Sequence, residues 1–221
     1  MPELPEVEVV RAGLEPALSG ARILDVEVFD PRSLKRHLGP VDDFVERLRD
    51  RRMLGAVRRG KFLWLPLAER DAAPAGEAPG ELPGEAPGEP AGDAAGEALL
   101  AHLGMSGQLL LRAPGAAGDR HERIRLRVEH PRHGALELRF IDQRLFGSLA
   151  VDETRRQEHP VGFAGDGEGE RVTHVLPGQV RHIARDALDP FFDDAAFVAA
   201  TRRRGSGIKR LLLRYAPVEK L

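Results

Sequence analysis

Residues 99–151 read LLAHLGMSGQLLLRAPGAAGDRHERIRLRVEHPRHGALELRFIDQRLFGSLAV, and their rhythm decides the fold. Apolar and polar residues alternate over 99–103, 108–111, 124–128, 136–141 and 148–151, the period-two spacing of half-buried strands. Glycines and prolines fill the gaps, as turns require. Upstream, 23–29, 53–57 and 62–67 extend the series, and a short helix over 42–48 interrupts it. Before these, Val7, Val10, Leu14 and Leu18 recur near helical spacing, with Gly20 as a stop. Beyond about residue 180 the pattern turns helical, over 193–203 and again over 206–215. The expected fold class is α+β. An N-terminal helix and a β-sandwich domain occupy 1–151, a Gly/Glu-rich linker follows over 152–180, and a helical domain begins at 181 and runs to 221.

The chain has 221 residues, enough for one large or two small domains. Charged residues make up 31% and hydrophobic ones 42%, a globular balance that excludes wholesale disorder. Apolar runs are only a few residues long, against about 20 needed to cross a bilayer. The start, Met1 to Glu6, is acidic and lacks the basic and apolar regions of a secretory signal, so a cytoplasmic location is expected. No cysteine is present, which excludes disulfides, thiolate catalysis and any cysteine-held zinc or iron–sulfur site within these residues.

The net charge of −2 hides an asymmetry. Residues 71–98 hold five Glu, two Asp and no base, so the remainder is net basic. Glycine recurs there every fourth residue, among Ala, Pro and Glu, with no apolar anchors to offset ordering entropy. This stretch reads as a disordered, self-repelling insertion between two strands. The glycines of GFAGDGEGER (162–171) lack the preceding strand and the spacing of a nucleotide loop, and read as loop. His130 and His133 flank Pro131 without a carboxylate nearby, which suits a turn rather than a metal site.

Candidate chemistry lies at the N-terminus. Removal of Met1 would leave Pro2 as a terminal secondary amine, with a pKa near about 8 against about 10.4 for lysine. Such an amine can attack an electrophilic sugar carbon and form an iminium. Glu3 is adjacent and Glu6 lies one helical turn on, so paired carboxylates there can move protons. Proline and glutamate also serve as ordinary first-turn residues, and spacing alone leaves both readings open. Residues 202–214, RRRGSGIKRLLLR, carry six bases and no acid, an electrostatic footprint for phosphate.

MPELPEVE at 1–8 resembles the start of the bacterial formamidopyrimidine-DNA glycosylases. Further segments are similar to that family in the same order: RRGKFL at 58–63, HLGMSG at 102–107, RHER at 120–123, DQRLFG at 142–147, HIARDAL at 182–188 and GIKRLL at 207–212. The last resembles the start of the family's helix–two-turn–helix. The likeness runs from residue 1 to about 213, broken by the acidic insertion. It implies a base-excision repair glycosylase and AP lyase that removes oxidised purines (8-oxoguanine and formamidopyrimidines) from double-stranded DNA, acting as a monomer without a membrane partner. Pro2 would displace the base from C1′ and hold the sugar, with Glu3 as general acid, Glu6 supporting it, and Lys61 assisting strand cleavage. Met105, Arg144 and Phe146 would fill the gap left by a flipped nucleotide. His102, His121, Arg204 and Lys209 would grip the DNA. Leu145 stands where many relatives have a second arginine.

Relatives continue into a glycine-containing hairpin whose asparagine binds phosphate, then a four-cysteine zinc ribbon. Residues 214–221 read RYAPVEKL instead, so the chain reads as C-terminally truncated, with no zinc ribbon and no cofactor in these residues. A second reading follows from that: a non-catalytic remnant that binds damaged DNA. The pyrimidine-specific sibling branch fits less well, because its start carries Gly where this chain has Leu4.

Overall fold

The computed structural model describes residues 4–70, 94–165, 169–186 and 189–203. Helix α1 (Leu4–Leu18) buries Val7, Leu14 and Leu18 and half-buries Val10, the stripe expected from spacing. The chain turns at Gly20, whose φ of +90° favours a residue without a side chain. Strand β1 (Arg22–Val28) leads into a 3-10 turn at Pro31–Leu34, where the Asp30 carboxylate accepts from the Arg32 N–H. Helix α2 (Val41–Leu48) then buries Phe44 and Leu48.

The remaining strands are β2 (Val57–Arg59), β3 (Phe62–Leu67), β4 (Ala94–His102), β5 (Gly107–Arg112), β6 (Glu122–His130), β7 (Gly134–Asp142), β8 (Ser148–Arg156), β9 (Phe163–Ala164) and β10 (Val175–Pro177). They form two antiparallel sheets, ordered β1-β6-β7-β5 and β10-β8-β4-β3-β2-β9. Ile23, Ile124, Leu126, Leu138 and Phe140 from the first sheet belong to one buried cluster with Leu63, Leu65, Leu99, Ala101 and Leu149 from the second. The sandwich expectation is met, and α1 packs on β2 and β3 while α2 packs on β1 and β8.

The six-stranded sheet is covered on its second face too. Strand β3 is buried at every position, so FLWLPL shows no polar face. A second cluster supplies the cover: Trp64 and Leu100 pack with Leu54, Val57, Val161, Val172, Leu176 and Val180. The indole N–H of Trp64 donates to the Val175 carbonyl at 3.2 Å.

That cover corrects the domain division. Within 152–180, expected as a linker, the described residues continue the sandwich: β8 runs to Arg156, β10 pairs with β8 and β9 pairs with β2. Short helix α3 (Glu170–Thr173) sets Val172 into the second cluster. The physical reason is burial, because β3 and β4 need an apolar layer outside as well as inside. The acidic insertion is also shorter than expected. Residues 94–98 are strand, paired with β8 and, from Glu97 on, also with β3, while 71–93 lie outside the described residues. Glu97 is not a loop charge: Arg47 and Arg51 each bridge it at 2.6 Å. Burial pushes its carboxyl up, but the two guanidinium groups outweigh that and hold it below the usual range. The strand expected over 53–57 is a single bridge from Met53 to Leu67, with pairing resuming at Val57.

Helix α4 (Asp194–Arg202) starts where the Asp193 carboxylate accepts from the Ala196 N–H, close to the expected 193–203. The helix expected over 206–215 lies outside the described residues. No described helix is long and apolar enough to cross a membrane.

Candidate nucleic-acid interface

Strand β7 ends on Asp142, a fully buried carboxylate that gathers two loops. Its Oδ1 accepts from the Ser106 hydroxyl at 2.5 Å and from the Arg144 N–H at 3.1 Å. Its Oδ2 accepts from the Gly147 N–H at 2.7 Å. The 103–106 and 143–147 loops touch so closely that a Cβ on Gly104 would lie 2.5 Å from the Gly147 nitrogen. A third segment joins through the backbone: the Asp142 N–H donates to the His121 carbonyl at 2.9 Å, and Arg123 Nε donates to the Asp142 carbonyl at 2.8 Å. Met105, His121, Arg144 and Phe146 are thereby brought together around one anchor.

The tips of these loops stay in solvent. Met105 is 39% exposed and Phe146 48%, and the Arg144 guanidinium lies 4.9 Å over the Phe146 ring. Fully burying such a side chain is worth about 1.5–3 kcal/mol. The scaffold therefore forgoes that gain to hold two large apolar groups outward on a rigid base. Leu145, between them, sits at φ +57°, unusual for a branched residue, and Lys35 Nζ donates to its carbonyl at 2.8 Å.

A basic cluster adjoins. Arg59 pairs with Phe62, so Gly60 and Lys61 form a two-residue turn, with Gly60 at φ +58°. Lys61 sits half-buried in that turn. Phe62 pairs with His102 across β3 and β4; their rings are 4.8 Å apart, and the Arg36 guanidinium lies 5.3 Å over Phe62. Burial, then the charges of Arg36, Lys35 and Lys61, lower the His102 pKa to about 4. His102 is thus neutral at pH 7, and its Nδ1 is buried without a hydrogen-bond partner among the described residues. Lys35 and Arg36 were missed in the sequence. The base-rich 31–37 stretch, PRSLKRH, was their only signal.

The depressed pKa has a measurable consequence. An unfolded histidine takes its proton near 6.5, the folded one near about 4. Stability from this residue is therefore complete above about pH 6.5 and declines as pH falls toward 4, with at most one proton taken up on unfolding. Urea unfolding midpoints should drop over that window, and His102→Phe should flatten this part of the profile.

Helix α1 is fastened beside the cluster. Glu8 accepts from Arg11 Nε at 2.9 Å and from Arg58 Nε at 2.8 Å. Burial raises its pKa, but the two arginines outweigh that and leave it lowered. Arg58 also bonds the Gly60 carbonyl at 3.2 Å and Asp186 at 3.1 Å. Glu6 is exposed on the first turn of α1. Pro2, Glu3, Arg204 and Lys209 lie outside the described residues. His130, as expected for a turn, bonds the Ser19 carbonyl through Nε2 and accepts from the Arg132 and His133 N–H groups. A chain without cysteine does not fit a four-cysteine zinc site, and no described cluster of three His, Asp or Glu could hold a metal.

Comparison with known proteins gives one answer. The family profile described as formamidopyrimidine-DNA glycosylase N-terminal domain matches residues 1–149. A formamidopyrimidine-DNA glycosylase of Leifsonia xyli subsp. xyli is 52% identical over 215 residues, covering 96% of this chain and 62% of the relative. One of Nocardioides sp. is 46% identical over 213 residues, covering 96% and 57%. Among solved structures, the Lactococcus lactis formamidopyrimidine-DNA glycosylase bound non-covalently to DNA with an AP site aligns with a TM-score of 0.50 at 25% identity, over 69% of this chain and 45% of that one. The same enzyme in complex with Fapy-dG-containing DNA aligns equally well, over 68% and 44%. This chain spans about three fifths of the length of the curated relatives it matches. A profile match over two thirds of its residues is decisive: the chain belongs to the formamidopyrimidine-DNA glycosylase family.

Proposed function

We propose that this chain is a base-excision repair glycosylase with AP lyase action on oxidised purines, 8-oxoguanine and formamidopyrimidines, in double-stranded DNA. The observation that carries the reading is the convergence of exposed Met105, Arg144 and Phe146 on buried Asp142, beside the cations Lys35, Arg36 and Lys61. Extruding a nucleotide costs a few kcal/mol. An apolar wedge of Met105 and Phe146 offsets part of it, Arg144 reaches the orphaned base, and the cations and His121 take phosphates.

The chemistry is assigned to the N-terminus. With Met1 trimmed, the Pro2 amine attacks C1′ and the bond to the damaged base breaks, the base leaving with a proton. Glu3 protonates the sugar ring oxygen, the ring opens, and an iminium remains on Pro2. Transfer of a C2′ proton to water then breaks the C3′–O bond and expels the 3′ phosphate, whose departing oxygen Lys61 protonates. Glu6 supports Glu3, and Arg204 and Lys209 add phosphate contacts.

The test is reductive trapping. Borohydride should link the Met1-trimmed chain covalently, one to one, to a duplex carrying an abasic site. Tight binding of that duplex with no trapped adduct would overturn the catalytic reading and leave a protein that only binds damaged DNA.

A further inference from the structure

The loop between β5 and β6, residues 113–121, reads APGAAGDRH and holds no large apolar residue to bury. Nearly all of it is exposed, yet its backbone is held from beneath. Arg139 on β7, only 2% exposed, donates from one terminal nitrogen to the Ala117 carbonyl at 2.7 Å and from the other to the Ala116 carbonyl at 2.7 Å. Its partner Glu137, likewise buried, accepts from Arg139 Nε at 2.9 Å and from the Gly115 N–H at 3.3 Å. Buried Glu122 completes the group, 3.5 Å from Arg139 and 2.6 Å from Arg125. Burial raises the Glu137 pKa, but Arg139 and the Gly115 N–H outweigh it, so the carboxylate stays charged.

The far end of the loop is tied elsewhere. Asp119 accepts from the His121 N–H at 2.7 Å, and the His121 carbonyl accepts from Asp142. Arg120 and His121 therefore lie on a segment with two anchors, one on Arg139 and one on the carboxylate that also holds Arg144 and Phe146. An arginine serving only the sheet would have no use for loop carbonyls, because backbone pairing between β6 and β7 already sets the register. Buried ion pairs in general add little net stability, which leaves orientation as what this one contributes.

We propose that Arg139 is a positioning residue: it fixes the 113–121 loop so that Arg120 and His121 meet the phosphates flanking a nucleotide wedged by Met105 and Phe146. This rests on the function proposed above. The test compares wild type with Arg139→Met/Glu137→Gln, which avoids stranding a carboxylate, and with Arg139→Lys.

Amide hydrogen exchange is measured without DNA. Exchange over 115–121 should rise by about a hundredfold in the double variant while β6 and β7 amides stay protected, and Arg139→Lys should fall between. On an abasic-site duplex, Kd should rise about tenfold with a shallower salt dependence, while the trapping rate at saturating DNA is unchanged. Unchanged loop exchange in a folded variant, or a rise spread evenly over β6 and β7, would overturn the positioning role. Wild type that protects the loop but ignores the duplex would instead overturn the function and, with it, the phosphate contact proposed here.

Discussion

Asp142→Ala should cost the chain at least about a hundredfold in affinity for an abasic-site duplex while both sheets remain folded. Three donors converge on this one carboxylate, from Ser106, Arg144 and Gly147. Hydrogen bonds to a charged group contribute about 1.5–3 kcal/mol each, and donors left without an acceptor add a desolvation cost. The loss falls on the two loops rather than on the core, because Asp142 ends β7 and the packed residues Leu138 and Phe140 precede it. Met105 and Phe146, no longer held outward, are free to collapse onto the sheet edge. Asp142→Asn should not rescue: its Oδ1 keeps Ser106, but its amide N–H groups would face the Gly147 N–H. Fluorescence anisotropy with labelled duplex reads the affinity and circular dichroism reads the sheets. Wild-type affinity in a folded Asp142→Ala chain would show that the anchor is dispensable.

Trp64→Ala is expected to lower the melting temperature by about 10 °C, from a loss of about 3–5 kcal/mol for emptying a buried aromatic site. Trp64 is fully buried at the centre of the second cluster and bonded to Val175. The damage should be directional. Val161, Val172, Leu176 and Val180 pack with it, so amides around them should lose protection before those of β5, β6 and β7. Trp64→Phe should recover most of the packing and forfeit only the indole hydrogen bond. Calorimetry with peptide-resolved exchange separates these outcomes, and a free 161–180 segment in wild type would restore the linker reading.

The sandwich was legible because its strands alternate. The strands expected at 108–111, 124–128 and 136–141 fall inside β5, β6 and β7, and 62–67, a short apolar run without alternation, matches β3 residue for residue. What failed has a common cause. Val161, Val172 and Val180 have no period among their charged and glycine neighbours, because they cover a sheet instead of forming one. The same holds at the site. Met105, Arg144 and Phe146 were identified by resemblance, but the fact that organises them, a carboxylate shared by Ser106 and Gly147, joins residues 36 apart in the chain. A local Asp-to-N–H turn at Arg144 was the only trace of it along the sequence. Lys35 and Arg36 face His102 through folding alone.

The β3–β4 hairpin has two poles. Lys61 and His102 lie at one; at the other, Leu67 faces Glu97, which Arg47 and Arg51 grip while Arg51 also bonds the Ala68 carbonyl. Six residues of strand put about 17–20 Å between them. Connector length at the far pole should therefore matter little at the other: each doubling of a loop costs only about 0.6 kcal/mol in closure entropy, and the clamp on Glu97 holds the register where β4 begins to pair with β3. For the experimentalist the connector is a ready splice point, where a reporter or an affinity tether can enter the middle of the chain and leave the N-terminus untouched.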